Sequence, residues 1–167
     1  PFTSFGEQRN WAIDHIPCKH PWQFHLDADE RFTGPLVKEM QRTLGPFGEA
    51  SEHAAFHVPS KMMLFSRWLK RSAGYPTYQV RLFRVGRCRF QDFGHGQREQ
   101  TDGSIGTLTE PYLHHAFSKG LVDWFHKHNA YSSREAREGL ERMRDTRLAR
   151  WSALRDPVAR RRALKNI

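Results

Sequence analysis

The chain has 167 residues, with 27 Lys+Arg against 18 Asp+Glu and a formal net charge of +9. That length is an ordinary single domain, and an apolar share of 38% excludes a disordered or collagen-like chain. No apolar run approaches the roughly 20 residues needed to span a bilayer, and no signal-peptide pattern opens the chain.

Two cysteines, Cys18 and Cys88, cannot form a disulfide scaffold or a four-Cys zinc site, which points to a reducing compartment. The charge is uneven: residues 134–167 carry +6 and residues 1–133 only +3. Such a tail suits nucleic acid, an anionic membrane surface or a solvated helix face. The start at Pro1, and the end soon after Arg160-Arg161-Arg162-Ala163-Leu164-Lys165, lead us to expect a piece of a longer protein.

Residues 6–16 read as a short helix with Trp11, Ala12 and Ile16 on one side, ended by Pro17. Trp22-Gln23-Phe24-His25-Leu26 alternates like a strand and runs into Asp27-Ala28-Asp29-Glu30. Thr33-Gly34-Pro35 opens a helix carrying Leu36, Val37, Met40 and Leu44, which Gly45-Pro46 stops. Residues 52–58 and 61–66 read as two strands around Pro59. Tyr78 to Arg84 and Arg87 to Phe90 read as a hairpin turning at Val85-Gly86. Residues 91–111 read as a loop, and Leu113 to Ala116 as a short strand or bend. Ser118 caps a helix with Leu121, Val122 and Phe125 on one face. Ser132 with Glu135 reads as a capping box opening another helix, and Asp156-Pro157 caps a last basic one. The pattern is mixed α/β, and a complete doubly wound sheet would need more strand–helix units before residue 1.

The strongest chemical signal is Asp27-Ala28-Asp29-Glu30 at a strand end. On extended backbone, residues two apart point the same way, so Asp27 and Asp29 would reach one Mg²⁺ or Mn²⁺ ion. The ends of α/β strands are also where such sheets bind ligands.

From Gln8-Arg9-Asn10-Trp11-Ala12 and Trp22 to Glu30 onward, the chain resembles bacterial family-2 glycosyltransferases of lipopolysaccharide-core and exopolysaccharide assembly. The likeness continues in order through Pro59-Ser60-Lys61, Tyr75-Pro76-x-Tyr78-Gln79-Val80-Arg81-Leu82-Phe83-Arg84, Gly106-x-Leu108, Leu113-His114 and Asn129-Ala130-Tyr131-Ser132. The resemblance implies a partial GT-A (Rossmann-like) fold in residues 1–117, lacking its first nucleotide-binding strands, with a basic helical extension in 118–167. It implies an inverting transfer from a nucleotide-sugar donor to a glycan or lipid-linked acceptor, at the inner face of the cytoplasmic membrane. Asp27 and Asp29 match its D-x-D metal motif. Gly6, Arg9 and Asn10 match the helix bordering the nucleotide, Arg9 being placed to meet the diphosphate. His114 matches a residue near the metal or diphosphate. The base that takes the acceptor proton falls on Glu99, ahead of Asp92 and Asp102.

Arg81 and Arg84 read as exposed on an acceptor-facing or solvated strand face. Three rivals remain beside this reading. A nucleic-acid-binding protein lacks any helix-turn-helix, zinc or RNA-binding consensus, and the resemblance implies no nucleic-acid partner. A metal-dependent hydrolase would use His95, His114 or His115 with the Asp pair, without an H-E-x-x-H. The third is an inactive fragment of transferase ancestry.

Overall fold

A computed structural model describes residues 3–71, 74–93 and 96–155. The expected Asp156-Pro157 cap, the Arg160–Lys165 run and His95 lie outside the described residues. The protein is α/β, with three helices and nine strands among the described residues. The chain divides into two compact units, Pro1–His126 and Lys127–Ile167.

The first unit is built on a mixed sheet. Strands β1 (Trp22–Phe24), β5 (Thr77–Arg84), β3 (Ala55–Leu64), β9 (Tyr112–His114) and β2 (Glu30–Arg31) lie side by side in that order. β3 is its spine. It runs antiparallel to β5 and parallel first to β8 (Ile105–Thr107), then to β9. Beyond the sheet it folds back on β4 (Arg67–Trp68). The two strands expected around Pro59 are therefore one. Pro59 pairs with Tyr78 in register inside it, so a proline that reads as a break is absorbed by the strand.

Two helices close the faces. Helix α2 (Gly34–Leu44) follows its sequence signals: the Thr33 hydroxyl accepts from Leu36 N–H, and Gly45 ends it at φ 71°. Leu36 is buried with Phe56, Val58, Leu82, Leu108 and Tyr112, and Met40 and Leu44 pack beside it at helical spacing. The second cluster is Ala55, Val80, Phe83, Cys88 and Phe90, joined by Ile13 of helix α1 (Phe5–His15) and by Ile105.

Helix α1 turns a different side inward from the expected one. Trp11 and Ile16 are exposed, while Gly6 is buried and Asn10 reaches strand β6 (Cys88–Phe93). The Asn10 amide donates to Phe90 O (2.7 Å) and accepts from Phe90 N–H (2.9 Å), so a polar residue, not an apolar stripe, sets the contact.

The expected hairpin partner of β5 is also different. The chain does turn at Val85-Gly86, with Gly86 at φ 80°, but β6 pairs with β7 (Gly96–Thr101). Both edges of β5 are already taken, by β1 and β3, so β6 must leave the sheet. Residues 91–111, expected as loop, hold the end of β6, all of β7 and all of β8.

Helix α3 (Leu121–Arg155) is continuous where two helices were expected. Ser118 lies in the turn before it. Ser132 and Ser133 sit inside it, each donating its hydroxyl to Asn129 O at 3.0 Å, so the capping box is unused. Leu121, Val122, Phe125, Leu140 and Met143 are exposed.

Candidate functional site

The acidic segment after β1 is a turn. Glu30 N–H donates to Asp27 O at 2.9 Å, closing residues 27–30, and the Glu30 carboxylate accepts from Asp27 N–H at 2.9 Å. The extended backbone expected to set Asp27 and Asp29 side by side is thus absent, and the two carboxylates meet different partners.

Asp27 is gripped by two guanidiniums. Arg9 of α1 donates to its Oδ1 at 2.8 Å and Arg81 of β5 to its Oδ2 at 3.1 Å. Arg81 also donates to Glu30 Oε1 and to the Tyr112 hydroxyl (3.3 Å). Arg81 and Glu30 are both 4% exposed, which corrects the expected solvated face: β5 is central and covered on both sides. Arg84 is likewise engaged, with the Ser51 carbonyl and the Trp22 ring.

These contacts tune the charges. Burial pushes Asp27 up, but Arg81 and Arg9 outweigh it and hold the carboxyl below its ordinary range. Burial raises Glu30 and lowers Arg9. Burial, reinforced by Arg9 and Arg81, lowers His25 from 6.5 to about 4. The His25 ring stacks on Phe90 at 5.6 Å and meets Phe83 edge-on at 4.7 Å.

Asp29 is the acid of this turn that no arginine holds among the described residues. Its Oδ2 lies 3.6 Å from Nε2 of His114, whose strand β9 pairs with β2 so that His114 is opposite Glu30. Their side chains are 33% and 29% exposed, so this end of the cluster opens to solvent. Burial lowers His114, with Asp29 opposing. Burial thus disfavours the protonated imidazole, the form with no lone pair to offer a metal.

The fit to a divalent ion rests on this pair. At a ligand distance of about 2.1 Å adjacent octahedral positions are about 3.0 Å apart, so these two donor atoms, 3.6 Å apart, would have to draw closer to share one Mg²⁺ or Mn²⁺ ion. No group of three or more His, Cys, Asp or Glu is so placed among the described residues. An ion here would take its other positions from substrate oxygens and water, as Mg²⁺ commonly does.

The remaining candidates take distinct places. Gly6 N–H donates to Asp92 Oδ1 at 3.0 Å, and a Cβ there would sit 2.7 Å from that oxygen, so Gly6 and Asp92 lock α1 onto β6. Asp102 pairs with Arg87 at 2.7 Å, at the open end of the β6–β7 ribbon. Glu99 faces Phe90 in register on β7, half-buried, with no side-chain partner among the described residues. Of the three possible bases it is the one with no hydrogen bond or ion pair among the described residues, and burial, helped by its charge, pushes the Cys88 thiol up. Its register partner Phe90 carries Arg9 over its ring at 5.6 Å, and no polar contact joins Glu99 itself to the cluster among the described residues. His115 contributes its backbone, donating N–H to Asp29 O at 2.7 Å.

An open cleft of about 630 Å³ lies at α2, lined by Gly34, Pro35, Lys38, Gln41, Arg42 and Glu110. No residue of the carboxylate cluster lines it. No helix among the described residues is long and apolar enough to cross a membrane. No family model matches the chain.

Proposed function

We propose that this protein transfers a sugar from a nucleotide-sugar donor to a glycan or lipid-linked acceptor, on a partial GT-A fold. The observation that carries the reading is the meeting of Asp29 and His114, 85 positions apart, beside an acid–arginine cluster at the end of β1. The ordered resemblance described above supports it.

In this reading Asp29 and His114 would hold Mg²⁺ or Mn²⁺, which when bound supplies positive charge to the donor diphosphate. Asp27, the first acid of the D-x-D, keeps Arg9 and Arg81 in place beside it. Arg9, 12% exposed, offers the diphosphate a second cation. Gly6 and Asn10 position Arg9 by fixing α1 on β6. Glu99 takes the proton of the acceptor hydroxyl as its oxygen bonds to the anomeric carbon. The bond from that carbon to the diphosphate breaks, and the nucleoside diphosphate leaves with the electron pair.

The test is donor hydrolysis and transfer with Mn²⁺ for Asp29→Asn and His114→Ala in the intact protein. Each is expected to lose about 100-fold in rate and to weaken Mn²⁺ binding seen by calorimetry. Wild-type rates in both variants would sink the assignment.

A further inference from the structure

Between Glu52 and Asp92 the sequence has no acidic residue and eight Lys+Arg. Four of these are engaged inside the fold: Arg81 with Glu30 and Asp27, Arg87 with Asp102, Arg89 with Asp14, and Arg84 with Ser51 O. The other four, Lys61, Arg67, Lys70 and Arg71, lie on or beside the arm where β3 leaves the sheet and turns back as β4. None of them has a carboxylate partner among the described residues.

The tip of that arm is unusual. Phe65 and Ser66 form its two-residue turn with φ 46° and 63°, and Met63 and Leu64 pair across it with Trp68 and Arg67. Such turns favour Asn-Gly, because two successive left-handed residues strain a side chain with a Cβ. Here a phenylalanine takes the first position and is 75% exposed. Folding stability alone selects against both the conformation and the exposure.

Behind the tip, Met62, Met63 and Leu64 are half-buried, and Trp68 and Tyr75 meet edge-on at 4.9 Å. Lys61 Nζ lies 4.5 Å and Lys70 Nζ 5.5 Å from the Trp68 ring. An apolar tip, aromatics behind it and cations around them are the pattern of an interface-seeking element. A soluble polyanion would account for the cations and leave Phe65 unexplained.

We propose that this arm docks on an anionic lipid bilayer, with Phe65 among the headgroups and Lys61, Arg67, Lys70 and Arg71 against the lipid phosphates. The inference stands apart from the transferase reading, because its test measures binding and not activity.

The test is co-sedimentation of the full chain with phosphatidylglycerol–phosphatidylcholine vesicles and with phosphatidylcholine alone, at physiological salt. The wild type is expected to bind the anionic vesicles. Arg67→Gln with Lys70→Gln should weaken partitioning by about fivefold for each charge removed. Phe65→Asn with Ser66→Gly installs the preferred turn. It should raise the melting temperature while lowering partitioning about tenfold, the loss of one buried aromatic. Phe47→Asn, at a site 76% exposed and away from the arm, should bind as the wild type. The proposal is overturned if the Phe65 variant binds as the wild type, whatever the charge variant does, or if Phe47→Asn loses as much.

Discussion

At the scale of single residues, the site is organised by Arg81. Its guanidinium satisfies Glu30 and Asp27 and rests at 5.4 Å from the Tyr112 ring, so one side chain holds the acidic turn against β5 and β9. Removing it strands a buried carboxylate. Arg81→Met is expected to cost about 3–5 kcal/mol of unfolding free energy, and adding Glu30→Leu should restore most of it. Urea denaturation of the single and double variants checks both. Of this site the acidic run was legible in the sequence, though as an extended Asp27–Asp29 pair and not as the turn it forms, and His114 entered through the family resemblance. Arg81 was not legible. In Tyr78-Gln79-Val80-Arg81-Leu82-Phe83 it falls where alternation puts a solvated side chain, and only the topology makes β5 central.

At the scale of elements, the signals that failed were those with two physical outcomes. Ser132 and Glu135 fit a helix start, yet hydroxyls also bond back to the preceding turn, and in α3 they do. Ser132→Ala is therefore expected to leave helicity and stability within about 0.5 kcal/mol, where loss of a true cap would cost about 1 kcal/mol. Circular dichroism through thermal unfolding reads the difference. Helix α2 was legible end to end, since Thr33, Pro35 and Gly45 act within one turn of their own positions. The β6–β7 ribbon was not, because its pairing depends on which edges of β5 are already occupied.

At the scale of the molecule, α/β class was legible from alternating strand and helix periods, while strand order was not, since it is fixed by contacts distant in sequence. The folded protein also carries a titration the sequence conceals. His25 is held neutral to about pH 4, whereas in the unfolded chain it takes a proton near pH 6.5. Between these values the unfolded state binds more protons, so stability is fully present above pH 6.5 and declines toward pH 4. With the shift discounted for the ring's partial exposure, the decline is about 2 kcal/mol. Denaturation midpoints should fall across that window in the wild type and stay flatter in His25→Leu. Equal slopes in the two would refute the assignment.

The register of β3 has a metric consequence. Met62 pairs with His114, and Phe65 follows three residues further along the chain. Three residues of strand span about 10 Å, so the Phe65 tip stands about that far along β3 from the strand's pairing with His114. Under the two proposals taken together, an acceptor hydroxyl beside His114 would stand about that far from the headgroups, within reach for a sugar carried close to a lipid anchor.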